Sequence, residues 1–301
     1  MNRFRRLAIL PAAMLVLAAC TADDGGGASP GGNGGGDGAC AGETDGHLAR
    51  VCDAGVIRVS TDPEYPPQSF LDEETNELDG FDVDVAKEIA ERLGVEVQFE
   101  TPAFDAVVAG SWADRWDMSV GSVTVTPERE EALDFTQAYY FTPVGAAALN
   151  DSGIASLEDL AGQTVCVGAG TTYFSWLNGE LQLPEEAGEA APVPEGVEAT
   201  TLETDTDCAE AWLSGRTDDF QGWVTSLPTA EGVIADGLEA TIIDDAVFNE
   251  ALAVAFDKTV EDNDSLVEAV DAIIGEMHED GTLTALSEEW YEGTDYSQPA
   301  E

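Results

Sequence analysis

Alternating strand and helix patterns constrain the fold of this chain more than any other feature. Val56–Ser60 is a short run rich in β-branched residues, which predicts a strand. From Phe81 to Leu93 apolar residues recur every four positions and Gly94 follows, so this segment predicts a helix with a glycine C-cap. Residues 95–99 predict the next strand. Strand–helix–strand units of this kind predict an α/β fold with a largely parallel sheet.

The same alternation returns in the second part of the chain. A strand at 164–167 precedes a helix at 173–181, and an acidic loop that contains proline follows at 182–196. The remaining predicted strands lie at 199–202, 219–223 and 240–243, and the remaining helices at 206–214, after Asp264 and up to Trp290. The length of 301 residues suits two domains or two lobes.

The first residues predict an export signal. Residues 1–19 combine arginines, a short apolar run and a small-residue cleavage site, which is typical of a signal peptide rather than a transmembrane helix. Leu17 to Cys20 reads LAAC, which resembles the bacterial lipobox, and cleavage there leaves Cys20 as a lipid-modified N-terminus. An ordinary signal peptide is the alternative. Residues 20–39 are rich in glycine and predict a flexible tether. We therefore expect a lipid-anchored protein on the extracellular face of the cell membrane.

The charge balance excludes several partners. The 61 acidic and 11 basic residues give a net charge of −50, so we expect no nucleic acid partner, because phosphate binding needs clustered Lys and Arg. Attraction of basic side chains to anionic lipid headgroups is excluded for the same reason. Acidic residues are spread over the whole mature chain, and such a surface is best tolerated where salt screens it. We expect a salt-rich environment, with an ordinary habitat as the alternative.

Four cysteines remain if Cys20 carries lipid, and they allow three pairings. In an exported protein we expect disulfides, with Cys40–Cys52 bridging the segment before the first strand and Cys166–Cys208 joining a strand to the following helix. A zinc site is the alternative, but the chain has no CxxC motif. We expect no metal and no cofactor.

Five segments carry a resemblance to a known family. In chain order they are TDPEYPPQSF, LDGFDVDVAKEIAERLGVEVQF, WDMSVGSVTVTPEREEALDFTQAYY, LEDLAGQTVCVGAGTTY and MHEDGTLTALSEEWYEG. Within residues 50–293 the chain resembles the extracellular solute-binding proteins of polar amino acid ABC importers. The resemblance implies a small-molecule ligand, and an ABC permease with a cytoplasmic ATPase as partners.

The same resemblance implies the architecture. It predicts a two-lobed periplasmic-binding-protein-like fold of type II, in which two hinge strands cross between the lobes. The crossing strands would be 144–149 and 252–256. Lobe 1 would be discontinuous, with residues 40–146 plus 254–297, and lobe 2 would be residues 147–253.

Arg129 is the first candidate for ligand binding. It follows Pro127 at a predicted helix start, and a guanidinium can hold a carboxylate with two parallel hydrogen bonds, which a lysine cannot. A surface ion pair with Glu130 or Glu131 is the alternative. We expect Arg129 to hold the carboxylate of the ligand.

The resemblance implies further ligand contacts from both lobes. In lobe 1 they are Gly121, Ser122 and Thr124 for the polar head, Asp62 and Tyr65 for the amine or side chain, and Phe104 for stacking. In lobe 2 they are Gly170, Thr171, Thr172 and Tyr173, where a glycine turn at a helix N-terminus presents N–H groups and hydroxyls to an anion. Core packing is the alternative for Phe104, and a structural N-cap is the alternative for one threonine.

Two positions depart from the family pattern. Gln68 stands where the family has Phe after Tyr-Pro-Pro, and Trp223 falls at the ninth position from Gly215, where the family has an ammonium-binding Asp. We predict that Trp223 faces the ligand and forms an aromatic cage with Tyr173 and Phe104, which attracts a quaternary ammonium. Filling of a core gap is the alternative for Trp223.

These features together predict a binding protein. It would capture an amino acid or a related zwitterion between two lobes that close on the ligand, and deliver it to an ABC importer. No histidine lies close in sequence to a candidate ligand-binding residue and no nucleophile–base pair stands out, so we expect no catalysis. One alternative is a lyase on the same fold, similar to the cyclohexadienyl or arogenate dehydratases, with Asp62 as general acid. The other is a binder of a betaine- or ectoine-type compatible solute.

Overall fold

The computed structural model describes residues 39–40, 45–72, 74–184 and 187–299. The predicted signal peptide, the predicted lipidation site Cys20 and the tether as far as residue 38 lie outside the described residues. Within the ranges just given, no helix has the length and apolar character needed to cross a bilayer.

The described residues alternate between helices and strands along the chain. The helices are α1 (Gly46–Ala54), α2 (Phe81–Leu93), α3 (Phe104–Val108), α4 (Thr172–Leu177), α5 (Asp205–Leu213), α6 (Leu227–Ala235), α7 (Asp264–Glu279) and α8 (Thr282–Trp290). The strands are β1 (Val56–Ser60), β2 (Glu64–Tyr65), β3 (Ser69–Leu71), β4 (Leu78–Asp79), β5 (Glu96–Glu100), β6 (Met118–Thr124), β7 (Leu133–Leu149), β8 (Thr164–Gly168), β9 (Glu198–Leu202), β10 (Gly222–Ser226), β11 (Ala240–Asp244) and β12 (Asn249–Asp257).

Helix α2 shows how the apolar period produces a packed element. Phe81, Val85, Ile89 and Leu93 are fully buried on the face of α2 that meets the sheet. Each contributes about 1.5–3 kcal/mol by leaving water. Gly94 ends the helix in the left-handed region at φ 84°, where glycine carries no Cβ penalty, and its N–H donates to the carbonyl of Ala90. The predicted helix and its cap are confirmed.

One sheet of nine strands runs through the protein in the order β5-β1-β6-β12-β7-β10-β8-β9, with β11 also paired to β7. Strand β7 is long enough to serve two parts of the sheet. Residues 133–143 of β7 pair with β12, and residues 144–149 pair with β10 and β11. The first half of the sheet consists of β5, β1, β6, β12 and residues 133–143 of β7. The second half consists of residues 144–149 of β7 together with β8, β9, β10 and β11.

The sheet is mixed, and the prediction of a largely parallel sheet is wrong. Strands β1, β5 and β6 pair in parallel, as do β8, β9 and β10. Strands β7 and β12 run antiparallel to their neighbours, because the chain leaves the first half along β7 and returns along β12. The predicted crossing segments 144–149 and 252–256 are parts of these two strands.

Each half has its own apolar core. In the first half, α2, α7 and α8 cover the sheet, and the core includes Ile57, Phe81 and Ile274. In the second half, Val165 and Trp176 belong to one core group and Trp212 to another. The α/β class is therefore confirmed, with helices packed on a sheet in both halves.

Two disulfides link the chain as predicted. Cys40 bonds to Cys52, and Cys166 bonds to Cys208. The second bond joins β8 to α5 inside the second half. Since all four thiols form disulfides, the zinc alternative is wrong, and the described residues contain no group of His, Cys, Asp and Glu side chains that could hold a metal ion.

Strand β10 is displaced from its predicted position. It spans Gly222–Ser226 rather than 219–223, and Asp219 is exposed in the turn before it. All five β10 residues are buried because the strand lies between β7 and β8. This shift of three residues decides the position of Trp223.

Candidate functional site

A cavity lies between the two halves, with about 440 Å³ of empty space. Strand ends and the loops that follow them provide its walls, which is where parallel sheets usually bind ligands. The lining residues are Asp62, Tyr65, Phe104, Gly121, Ser122, Thr124, Arg129, Gly168, Ala169, Thr171, Thr172, Tyr173, Glu203, Thr204, Asp205 and Glu250. Ten of the predicted ligand contacts are among them; Gly170 and Trp223 are not.

Arg129 is the cationic group of this cavity. It begins a short 3-10 turn after Thr126, whose hydroxyl accepts from its backbone N–H at 3.2 Å. Its guanidinium donates from Nη1 to the carbonyl of Thr124 at 2.9 Å and from Nη2 to the carbonyl of Gly170 at 3.1 Å. The two bonds reach opposite halves of the sheet. Burial lowers the pKa of Arg129, and the nearby carboxylate of Glu250 opposes that change.

Glu250 was missed by the sequence analysis and lies close to Arg129. It comes from β12 and is fully buried. Its Oε1 accepts from the hydroxyls of Thr124 at 2.6 Å and Thr172 at 2.5 Å, and its Oε2 accepts from the hydroxyl of Tyr173 at 3.1 Å. Burial raises the pKa of Glu250, although these hydrogen bonds favour the ionised form.

Glu250 thereby changes the expected role of two threonines. A hydroxyl has one proton to donate and two lone pairs that accept. Since Thr124 and Thr172 both donate to Glu250, their hydroxyls offer lone pairs to the cavity and not protons. In this arrangement they can bind a cation but cannot donate to a carboxylate.

Asp62 and Asp205 add two carboxyls to the cavity. Asp62 follows β1 and accepts from the N–H of Glu64 at 2.8 Å, and burial raises its pKa to about 6. Asp205 is the first residue of α5 and accepts from the N–H of Gly168 at 2.6 Å and the hydroxyl of Thr225 at 3.3 Å. Burial raises the pKa of Asp205 to about 8, and the negative charge of Asp62 adds to the effect.

Gly168 explains how Asp205 reaches its position. A Cβ on Gly168 would lie 2.6 Å from Oδ1 of Asp205, so only glycine allows this contact. Asp205 was missed because one acid within an acid-rich chain gives no signal. In the Gly168-Ala169-Gly170 segment the sequence predicted a role for Gly170 and none for Gly168.

Ser122 lines the cavity, but its polar groups are bound elsewhere. Its hydroxyl donates to Asp82 at 2.7 Å and contacts the hydroxyl of Tyr140, and its N–H donates to the hydroxyl of Tyr139 at 3.1 Å. Burial raises the pKa of Asp82 to about 7. The expectation that the Ser122 hydroxyl serves the ligand is therefore not supported. Ser122 instead anchors the cavity floor to α2 through Asp82.

Tyrosines and Phe104 form the apolar part of the walls. The hydroxyls of Tyr65 and Tyr173 lie 3.0 Å apart, and because Tyr173 donates to Glu250, Tyr65 is the donor of this pair. The guanidinium of Arg129 lies 5.4 Å from the ring centre of Phe104, within the range of a cation–π interaction. Phe104 also packs on a neighbouring core group, which is the core-packing alternative, and its stacking on a ligand stays a prediction.

The second-half turn has a structural component. The hydroxyl of Thr171 donates to the carbonyl of Gly168 at 2.9 Å and accepts from the N–H of Phe174 at 3.3 Å, so Thr171 is the N-cap of α4. Gly170 contributes its carbonyl to Arg129 and adopts φ 75°. A side chain there would also approach the backbone of Asp105 across the halves.

The prediction that Trp223 faces the ligand is wrong. Trp223 is fully buried in the core group that contains Cys166, Cys208 and Phe220. The prediction placed Trp223 at the cavity because the family has its ammonium-binding Asp at the ninth position from Gly215. In this chain β10 begins at Gly222, and Ser226 is the residue at its cavity-side end. The indole therefore fills the core, which was the alternative.

Ser226 and Gln68 connect the halves where the cage was expected. The amide of Gln68 lies 2.9 Å from the hydroxyl of Ser226. The hydroxyl of Thr229 donates to the carbonyl of Pro66 at 3.0 Å. Gln68 is fully buried, so the residue that departs from the family pattern is a polar contact between the halves.

Known proteins are similar to this chain over most of its length. The model of the bacterial extracellular solute-binding proteins, family 3, matches residues 57–293. The L-cystine-binding protein TcyJ of Escherichia coli (strain K12) is 30% identical over 249 residues, 82% of this chain and 86% of that protein. The arginine-binding extracellular protein ArtP of Bacillus subtilis (strain 168) is 29% identical over 238 residues, 78% of this chain and 86% of that protein.

A solved structure shows the same fold. It is the ancestral amino acid-binding protein AncCDT-1, a precursor of cyclohexadienyl dehydratase, with a TM-score of 0.68 and 28% identity. The match covers 81% of this chain and 99% of that one. The two-lobed fold expected from the sequence is confirmed.

Proposed function

We propose, from the premise that this chain belongs to family 3 of the bacterial extracellular solute-binding proteins, that it captures an amino acid or related zwitterion for an ABC importer. The partners would be a permease and its cytoplasmic ATPase. The cavity between the halves carries this proposal, because it sets the buried guanidinium of Arg129 against buried carboxyls. A zwitterion carries a carboxylate that can pair with Arg129 and an ammonium that can pair with a carboxyl.

Ligand capture would proceed by closure of two lobes. We assign residues 40–146 with 254–297 to lobe 1 and residues 147–253 to lobe 2. Contacts between the halves support a closed form: Arg129 with Gly170, Tyr65 with Tyr173, and Gln68 with Ser226. A ligand that binds both lobes would favour this closed form over an open one.

Lipid anchoring at Cys20 is part of the proposal. The LAAC sequence that ends at Cys20 and the glycine-rich residues that follow support a tethered receptor on the extracellular face. The test is fractionation of cells that express the wild type or Cys20→Ser. We expect the wild type in the membrane fraction and Cys20→Ser outside it, and equal membrane association of both would contradict the anchor.

Amino acid binding is tested by a thermal-shift screen of the Cys20→Ser protein. A ligand at about 100 times its Kd adds about 2.7 kcal/mol to the free energy of unfolding, which raises Tm by roughly 5–10 °C in a protein of this size. We expect at least one amino acid to reach this shift. A screen of all common amino acids without any shift would contradict the proposal.

Lobe closure is tested by small-angle X-ray scattering with the amino acid that gives the largest shift. We expect a smaller radius of gyration at saturation than without ligand. The same ligand with Arg129→Ala is the control, because a variant that does not bind should not compact. An unchanged radius in the wild type would contradict closure.

A lyase remains the second candidate because of one specific observation. The carboxyl of Asp62 has a pKa of about 6, which suits a general acid, and AncCDT-1 is described as a precursor of a dehydratase. Incubation with prephenate and arogenate separates the two functions. We expect no dehydration, and turnover that is lost in Asp62→Asn would favour the lyase.

The compatible-solute alternative loses its main support. It relied on an aromatic cage around Trp223, and that side chain lies in the core. Betaine and ectoine serve as negative controls in the thermal-shift screen.

A further inference from the structure

The cavity holds more negative than positive groups. Four carboxyl side chains line it, from Asp62, Glu203, Asp205 and Glu250, against the one guanidinium of Arg129. Among the ion pairs formed by the described part of the chain, none includes Asp62, Glu203 or Asp205. Within the described residues these three carboxyls therefore have no cationic side chain as an ion-pair partner.

Asp205 is the carboxyl with the strongest geometric case. It is only 6% exposed, and two donors from its own half fix its orientation: the N–H of Gly168 and the hydroxyl of Thr225. A carboxylate has about four acceptor positions, so Asp205 retains capacity towards the cavity. Asp62 faces the same cavity from the first half.

The end of the cavity near Glu250 is also rich in acceptors. Glu250 takes the protons of the Thr124 and Thr172 hydroxyls, so both present lone pairs. Arg129 is the remaining cationic donor for a ligand carboxylate.

An amino acid with a neutral side chain brings one positive charge to this cavity. Its ammonium can pair with one buried carboxyl. A second carboxyl then has no cationic partner, so it either stays protonated or carries a charge that is costly in a low-dielectric site. A second positive charge on the ligand removes that cost. The charge balance thus distinguishes between ligand classes.

We infer that the ligand is an amino acid with a positively charged side chain, and that Asp205 is the second-half carboxylate that binds one of its two cationic groups. The inference rests on the proposed function, since it assumes amino acid binding in this cavity. Asp62 binds the ligand from the opposite half.

The test is calorimetry with arginine and citrulline, which have nearly the same shape and differ in side-chain charge. We expect arginine to bind at least about 30-fold more tightly than citrulline. Asp205→Asn should weaken arginine binding at least about tenfold. Asp236→Asn is the control, because Asp236 is exposed at the end of α6 and should leave both affinities unchanged.

Failure of the inference differs from failure of the proposed function. Equal affinities for arginine and citrulline, or an Asp205→Asn protein that keeps the wild-type affinity for arginine, would overturn the inference while amino acid binding stands. Binding of no amino acid at all would overturn both.

A wild-type measurement covers the case in which Asp205→Asn does not fold. A cation favours the ionised form of the carboxyls of Asp62, Asp205 and Glu250, whose pKa values burial raises; Glu203 and Arg129 are the other charged groups that line the cavity. Arginine binding near neutral pH should therefore release protons, and the heat of binding should differ between phosphate and Tris buffers. Equal heats in the two buffers would overturn the inference.

Discussion

Arg129 is the residue whose replacement tests the site most directly. Its side chain is buried, and a ligand carboxylate without it would be desolvated and unpaired. We expect Arg129→Ala to lose about 2–5 kcal/mol of binding free energy, roughly 30-fold to several thousand-fold in Kd. Isothermal titration with the tightest-binding amino acid measures this change.

A matched ligand and a matched variant make the Arg129 experiment specific. The decarboxylated analogue of the same amino acid should lose less affinity between the wild type and Arg129→Ala than the amino acid does, since it has no carboxylate to lose. Arg216→Ala should leave both affinities unchanged, because Arg216 is exposed and pairs with Asp219 in a turn. Wild-type affinity in Arg129→Ala would contradict the assignment.

The buried carboxyls predict how stability depends on pH. Folding raises the pKa of Asp62 to about 6 and that of Asp205 to about 8, so the folded protein binds these protons more tightly than the unfolded chain. Their contribution to the free energy of unfolding is complete below about pH 4 and is lost as the pH rises to about 8. The pKa of Asp117 shifts the other way. Burial alone would raise it, but hydrogen bonds from His47 and Arg58 lower it to about 2. That group therefore does not compensate within this window.

The pH prediction is checked by melting the ligand-free protein. We expect Tm to fall between about pH 5 and about pH 8, and Asp205→Asn to reduce that fall by an amount on the order of a few degrees. The surface variant Asp236→Asn should keep the wild-type slope. A Tm that does not fall, or an Asp205→Asn protein with the wild-type slope, would contradict the prediction.

Single residues were predictable where their chemistry was rare in this chain. Arg129 stood out because the sequence has 11 basic residues, whereas Asp205 and Glu250 were hidden among 61 acidic ones. Their roles depend on contacts across the fold, such as those of Glu250 with Thr124 and Thr172. No local pattern encodes such contacts.

Elements were predictable where one local signal was strong. Helix α2 combines a clear period with Gly94, and its bounds matched. The bounds of β10 did not match the prediction, because the residues around Phe220, Gly222 and Trp223 show no alternation of polar and apolar side chains that would fix where the strand starts. Helix α6 was missed, because it has few polar residues and therefore lacks a contrasting face.

At the scale of elements, the two disulfides should differ in their effect on stability. Cys166–Cys208 spans 42 residues and joins β8 to α5, and Cys40–Cys52 spans 12 residues near the start of the described chain. Chain entropy gives about 4 kcal/mol for the longer loop and about 3 kcal/mol for the shorter one. We expect the Cys166→Ala/Cys208→Ala protein to be the less stable of the two double variants.

Urea unfolding of both double variants measures this difference, with the wild type under reducing conditions as a control that opens both bonds. The longer loop also holds together the core around Trp212 and Trp223, which adds to its effect. A larger loss of unfolding free energy in Cys40→Ala/Cys52→Ala would contradict the prediction.

Considered as a whole, the molecule joins two packed halves through strands that belong to both. The two-lobed class could be predicted from motif order. The mixed sheet could not, because strand direction depends on how β7 and β12 pair with partners far apart in sequence. These two long strands connect the two walls of the cavity, and contacts such as Gln68 with Ser226 join the walls directly.

The charge of the whole chain leads to the last prediction. With 61 acidic and 11 basic residues, most carboxylates have no cation to pair with, and folding brings them closer together than in the unfolded chain. The Debye length falls from about 30 Å at 0.01 M to about 3 Å at 1 M salt, so added NaCl should screen this repulsion. We expect Tm of the ligand-free protein to rise over that range, with sucrose of equal osmolality giving a smaller increase because it does not screen charge. A Tm independent of NaCl would show that the acidic surface is not a source of instability, and would remove the argument for a salt-rich habitat.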